Sequence, residues 1–168
     1  KTGNVTCEGD QVKFVITETN QGGQPSYEWF VNNQSVFNGK NFTSNSLNDG
    51  DKVKLLLTSD NECALPKEVT SNTVSITVSD NVTPTVNIIS STNSICSGEE
   101  IDFSIVNQSN EGNSPSYKWL VNGTLEGTNT TLSLTSLLDG DKVKLEMISN
   151  KTCLTTELAQ SNEVNISV

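Results

Sequence analysis

The stretch Pro25-Ser26-Tyr27-Glu28-Trp29-Phe30-Val31-Asn32 returns ninety positions later as Pro115-Ser116-Tyr117-Lys118-Trp119-Leu120-Val121-Asn122. In the first copy Tyr27, Trp29 and Val31 alternate with Glu28 and Phe30. Period two is the spacing of a β-strand, whose successive side chains point to opposite faces. A strand with Trp at the centre of its apolar face predicts the inward third strand of a two-sheet sandwich, so Tyr27, Trp29, Tyr117 and Trp119 are assigned to the core. The alternative use of such aromatics, a stacking platform for sugars, needs them on the surface.

Outward from this stretch the whole chain repeats. Cys7, Gly9 and Phe14 fall on Cys96, Gly98 and Phe103, and after a one-residue insertion the run Asp49-Gly50-Asp51-Lys52-Val53-Lys54-Leu55 recurs identically at Asp139 to Leu145. Cys63 meets Cys153, and Ser71-Asn72 meets Ser161-Asn162. Further alternating segments run through Val12, Phe14 and Ile16, through Val53, Leu55 and Leu57, and through Val74, Ile76 and Val78, each with a counterpart in the second copy. Gly, Asn, Asp and Ser clusters divide them, and no segment holds a helical period over ten residues. The prediction is an all-β chain of two tandem Ig-like Greek-key β-sandwiches, residues 1–80 and 81–168, with Phe14 and Phe103 in their cores. Thr85-Val86-Asn87-Ile88-Ile89 reads as a first strand of the second repeat, and the first repeat lacks its equivalent, Lys1 aligning near Ser90.

Composition removes several functions. The 168 residues carry 10 cations, all Lys, against 20 Asp plus Glu, and contain no His. Without Arg and at net charge −10 the chain lacks the footprint of a nucleic-acid binder. Without His it lacks the usual general base and zinc ligand. No apolar run reaches the roughly 20 residues of a membrane-spanning helix. No cofactor is implied, and carboxylates alone on duplicated 80-residue modules do not suggest an enzyme.

Asp49, Asp51, Asp139 and Asp141 are the weak metal candidates, because paired carboxylates about a Gly turn resemble part of an oxygen cage. No third acid lies within four positions, and an Asp-Gly-Asp before the sixth strand is normal turn chemistry, so no metal is assigned. Glu8, Asp10, Glu99 and Glu100 read as a solvated acidic edge. Asn-x-Ser/Thr triplets at Asn4, Asn41, Asn122 and Asn129 are expected by chance in so Asn- and Thr-rich a chain.

The ordered set Cys-x-Gly, Pro-Ser-Tyr-x-Trp-x-Val-Asn, Gly-Asp-x-Val, Cys and Ser-Asn resembles the PKD-like or Ig-like repeats of Bacteroidetes surface proteins, including gliding adhesins of the SprB type and other type IX secretion cargo. The resemblance implies an extracellular, cell-surface spacer or adhesive role. Its partners would be adjacent repeats of the same polypeptide or filament, with surface glycans or proteins as alternative ligands through loops such as Asn20 to Gln24 and Asn107 to Asn113.

Four Cys at repeating positions suggest disulfides and an oxidising compartment. One pairing stays within repeats, Cys7–Cys63 and Cys96–Cys153. With Cys7 in the loop before the second strand and Cys63 after the parallel sixth strand, seven residues at about 3.3 Å each hold those ends over 20 Å apart, against a limit of about 7 Å between bridged Cα atoms. That distance favours Cys7–Cys153 across the repeat junction, with Cys63 and Cys96 reaching neighbouring repeats. A short linker, Ser79 to Pro84, would then be covalently locked.

Overall fold

The computed structural model describes residues 5–19 and 21–168. Lys1, the triplet residue Asn4 and the loop residue Asn20 lie outside the described residues. The chain divides into two compact units, 1–80 and 81–168. Its described residues are strands and turns without a helix, and each unit is an Ig-like sandwich.

Unit 1 comprises β1 (Val5–Cys7), β2 (Val12–Phe14), β3 (Ser26–Val31), β4 (Gln34–Asn38), β5 (Phe42–Ser44), β6 (Lys52–Thr58), β7 (Glu68–Thr70), β8 (Val74–Ser75) and β9 (Thr77–Ser79). One sheet pairs β2 with β5; the other runs β4-β3-β6-β7, with β8 also on β6, while β1 lies parallel to β9. Unit 2 comprises β10 (Thr85–Ser90), β11 (Ile101–Ser109), β12 (Ser116–Val121), β13 (Thr124–Gly127), β14 (Thr131–Leu134), β15 (Lys142–Ile148), β16 (Leu158–Gln160) and β17 (Val164–Asn165). Its sheets run β10-β11-β14 and β13-β12-β15-β16, with β17 on β15.

The period-two strands through Trp29, Trp119, Leu55 and Leu145 form as the alternation requires. Trp29 and Trp119 lie on the central strands β3 and β12, are buried, and donate Nε1–H to the carbonyls of Gly39 (3.0 Å) and Asn129 (2.9 Å). Such a partner is what a buried indole needs. Phe14, Phe103 and Tyr117 are buried and Tyr27 is half-buried. Phe42, which its neighbours' lack of clear alternation hides in the sequence, completes an aromatic cluster. Its ring lies 5.5 Å from Phe14 and 5.6 Å from Trp29.

Three expectations need correction. Cys7 does not lie in the loop before the second strand but ends β1, registered opposite Ser79 of β9. The first strand of such a sandwich is split: its early half, β10 in unit 2, joins the β2-type sheet, and its later half crosses to pair parallel with the last strand, as Ser94 does with Ser167. Second, the strand expected through Ile16 stops at Phe14, whereas its counterpart β11 continues to Ser109. Third, Asn107 to Ser109 belong to β11, so the second of the expected binding loops begins only at Asn110.

Strands β4 and β13 follow their neighbours through two-residue turns, Asn32-Asn33 and Asn122-Gly123, both residues having positive φ. Positive φ at both central positions is the hairpin turn whose twist matches the strands, which is why Asn and Gly stand there. At Gly22 (φ +88°) and Gly112 (φ +81°) the backbone also runs against the Asp60 and Asn150 side chains, leaving no room for a Cβ.

Candidate functional site

The Asp-Gly-Asp turns are the densest polar constellation, and each carboxylate has a local task. Asp51 is buried; its Oδ1 accepts from Asn32 Nδ2 at 2.7 Å and its Oδ2 from the Asn48 N–H at 2.8 Å. Asn32 in turn accepts the Lys52 N–H through Oδ1 at 3.0 Å. Asp49 Oδ1 accepts the Val78 N–H at 3.0 Å, tying the turn to the last strand. In unit 2, Asp141 accepts from Asn122 Nδ2 (2.7 Å) and the Leu138 N–H (2.8 Å), and Asp139 from the Val168 N–H (3.0 Å). The repeated Val-Asn and Gly-Asp motifs are thus two ends of one hydrogen-bonded clasp. No cluster of three or more His, Cys, Asp or Glu able to hold a metal occurs among the described residues.

The acidic edge behaves alike. Asp10 Oδ2 accepts the Cys7 N–H at 3.3 Å, and Glu99 Oε2 accepts the Cys96 N–H at 2.9 Å, so each closes the turn after its cysteine. The two loops considered as binding loops are held by hydrogen bonds to the turn after the sixth strand. Ser59 Oγ donates to the Gln21 carbonyl (3.0 Å) and Ser149 Oγ to the Asn110 carbonyl (2.6 Å), and Asp60 Oδ2 accepts the Gln24 N–H at 2.7 Å.

Two ion-pair sites stand out. Glu163 receives Lys142 and Lys144, both at 3.1 Å, and these hydrogen bonds hold its carboxyl below the usual carboxylate range. Glu18 pairs with Lys40, whose hydrogen bond lowers the Glu18 carboxyl against an opposing push from burial. The second oxygen, Glu18 Oε2, is buried, and a hydrogen bond with the Tyr27 hydroxyl further lowers the carboxyl.

Cys63 and Cys96 are free and exposed, so neither bridge within a unit is formed. The reason is positional: Cys7 lies opposite Ser79 at the end of the last strand, while Cys63 follows the far end of the antiparallel neighbour β6. Cys7 and Cys153 are disulfide-bonded. Within unit 2 the Cys153 turn holds the incoming chain: the Val82 N–H donates to the Cys153 carbonyl at 2.8 Å, and the Thr155 N–H donates back to the Val82 carbonyl at 2.9 Å. The Asn110 carboxamide adds a hydrogen bond to the Thr83 carbonyl at 2.9 Å.

An elongated groove of about 530 Å³ opens in unit 1 between Phe14–Thr19 and the faces of Trp29, Leu55, Leu57, Val69 and Val74. Glu18 stands on its wall.

No family model matches the sequence, and no curated protein matches it. Among solved structures, the fibronectin(III)-like modules of Clostridium thermocellum CbhA align over 98% of this chain and 90% of theirs, with 11% identity and a TM-score of 0.42. The amphioxus IgVJ-C2 molecule aligns over 98% and 99%, with 12% identity and a TM-score of 0.40. Murine CEACAM1b aligns over 98% and 95%, with 12% identity and a TM-score of 0.42. No helix among the described residues is long and apolar enough to cross a membrane.

Proposed function

We propose that the chain is a structural spacer, two repeats of a large extracellular bacterial surface adhesin or filament of the kind that the Bacteroidetes gliding adhesins exemplify, with joints locked by disulfides between repeats. The observation that carries the reading is where the oxidised cysteines stand. Cys7 registers with Ser79, the last strand residue of unit 1, and the Cys153 carbonyl holds Val82, near the first residues of unit 2. Only Asp80 and Asn81 lie between those two anchored points. A bridge from Cys7 to Cys153 would therefore span the joint itself.

Repetition extends the rule. Cys96 stands in unit 2 where Cys7 stands in unit 1, and Cys63 stands where Cys153 does. Both are free and exposed, as thiols would be that await the corresponding partners in neighbouring repeats. The structural role of the turn carboxylates supports a non-enzymatic reading: Asp51 and Asp141 are hydrogen-bonded to backbone and Asn side chains. A surface at net charge −10 keeps such a rod solvated and self-repelling.

Non-reducing peptide mapping of the intact chain tests the joint, with a Cys7–Cys153 cross-linked peptide expected. A Cys7–Cys63 peptide as the main species refutes it. Single-molecule pulling then tests the spacer role: the junction should not extend before a unit unfolds until reductant is added.

A further inference from the structure

Phe37 is the only exposed aromatic side chain among the described residues, at 41%. It stands on β4 opposite Trp29, where unit 2 has Gly127 opposite Trp119. In unit 2 the Leu132 side chain fills that space, lying 3.0 Å from where a Gly127 Cβ would be. A sandwich of this type therefore closes its edge without a ring at this position. In unit 1 the ring is nevertheless held in place. It stacks on Phe42 with centroids 5.9 Å apart and 28° between the planes, and Gly39 passes so close that an added Cβ would lie 2.8 Å from Phe37 Cε1. An aromatic ring fixed from one side and open on the other is a preorganised stacking surface, and a ligand that binds it loses little affinity to side-chain ordering.

Phe37 lines a cleft of about 540 Å³ between β4 and β5, within the roughly 300–1,000 Å³ of small-ligand sites. Both strands end their sheets, so the cleft lies at an edge of the sandwich. The Gln34, Thr43 and Asn45 side chains on its lining are exposed and make no hydrogen bond among the described residues. Asp51 is the one charged lining residue, and both of its oxygens are engaged, by the Asn32 carboxamide at 2.7 Å and the Asn48 N–H at 2.8 Å. The cleft thus combines an aromatic face with amides and a hydroxyl, and has no uncommitted charge. A peptide strand fits it poorly. Strand β5 has three residues, and Val36 is an extra residue of β4 between the pairs Trp29–Phe37 and Phe30–Ser35; a bulged edge resists regular strand addition.

We infer that this cleft is a saccharide site, which takes a neutral pyranose unit of an oligosaccharide against Phe37. The C–H face of the sugar lies on the exposed side of the ring, because an aromatic face is negative and attracts polarised C–H groups. The hydroxyl rim exchanges hydrogen bonds with Gln34, Thr43 and Asn45, whose amides and hydroxyl both donate and accept. An acidic sugar is disfavoured, since no cation lines the cleft and the chain carries net charge −10. Unit 2 has Glu126 and Gly127 in the places of Val36 and Phe37 and so lacks the stacking surface. The inference does not rest on the spacer reading, because the joint cysteines take no part in this cleft.

The experiment titrates the intact chain under residue-resolved NMR, with cellobiose, maltose, lactose and diacetylchitobiose as neutral probes and sialyllactose as the acidic one. At least one neutral probe should bind at about 1–10 mM, the weak range of a small contact. Saturation should pass from the Phe37 ring to the sugar, and the Gln34 and Asn45 side-chain amides should shift while unit 2 stays unmoved. Phe37→Ala should weaken binding by about tenfold, the scale of one lost aromatic stack, in a unit that stays folded as unit 2 does with Gly127. Phe37→Tyr should keep the binding, and Asn45→Ala, at an exposed position, should weaken it. A hexapeptide of alternating Thr and Ser, which carries hydroxyls without a pyranose face, should not bind. The inference is overturned by the absence of binding from all four neutral probes, by binding that Phe37→Ala leaves unchanged, by equal binding of the hexapeptide, or by sialyllactose binding more tightly than lactose.

Discussion

The Asn32 carboxamide and the Asp51 carboxylate meet at 2.7 Å, joining the β3–β4 hairpin turn to the turn that precedes β6. Because Asp51 is buried and also accepts the Asn48 N–H, Asp51→Ala would strand two donors. A cost of about 1.5–3 kcal/mol is expected for losing a charge-assisted buried acceptor. Asp141→Ala should cost less in unit 2, where Asn122 and Leu138 are the donors but the carboxylate is only half-buried. Urea unfolding of the two variants measures both, and added calcium should restore neither.

The two units should differ in stability. Trp119, Phe103, Val143, Leu145 and Met147 of unit 2 are completely buried, while in unit 1 Leu57 borders the open groove. Heating should therefore unfold unit 1 before unit 2. Met147→Ala should cost about 2–5 kcal/mol, and Leu57→Ala clearly less, because the cavity term needs a closed site. Residue-resolved hydrogen exchange follows the two units separately.

At Gly112 the backbone is left-handed (φ +81°), and an added Cβ would collide with Asn150 Oδ1 and the Lys151 backbone. Gly112→Ala should destabilise unit 2 by about 1–3 kcal/mol, the scale of a strained backbone position. Gly50→Ala tests strain alone, since at φ +82° it meets no atom within 4 Å; its cost should be smaller. Chemical denaturation of the pair separates sterics from dihedral strain.

The Glu163 carboxyl is held below its ordinary range by Lys142 and Lys144. A depressed folded-state value means the group binds protons more readily in the unfolded chain. Its stabilising contribution is complete above the unfolded value, about 4.3, and is lost as pH falls through the lower folded value. Glu163→Gln should therefore flatten the acid limb of the Tm-against-pH curve while changing Tm little with pH above 6. An unchanged acid limb would count against the ion-pair role.

Cys63 and Cys96 are exposed thiols, whereas Cys7 and Cys153 are oxidised. Native maleimide labelling should reach two cysteines per chain, rising to four after reduction and unfolding. Mass spectrometry of the labelled peptides distinguishes which two react first.

Much of the fold lay open in local pattern. The alternation around Trp29 and Trp119, the punctuation by Gly and Asn, and the duplication of Asp49–Leu55 at Asp139–Leu145 determine two all-β sandwiches without reference to distant contacts. The hairpin strand β4 is short and exposed at every residue, so it carries no apolar alternation to read. Its signal was the turn chemistry, clearest in Asn122-Gly123.

What tertiary structure decided was non-local pairing. That Asn32 belongs to Asp51, that Cys7 ends a strand parallel to β9, and that β2 stops at Phe14 while β11 runs on to Ser109 all depend on which segment lies alongside. A strand's side-chain period is written in its own residues, but its hydrogen bonds belong to its neighbour. The sequence by itself therefore determined the repeat and its inward faces, and only the assembled sheets revealed which turns and strand ends are joined.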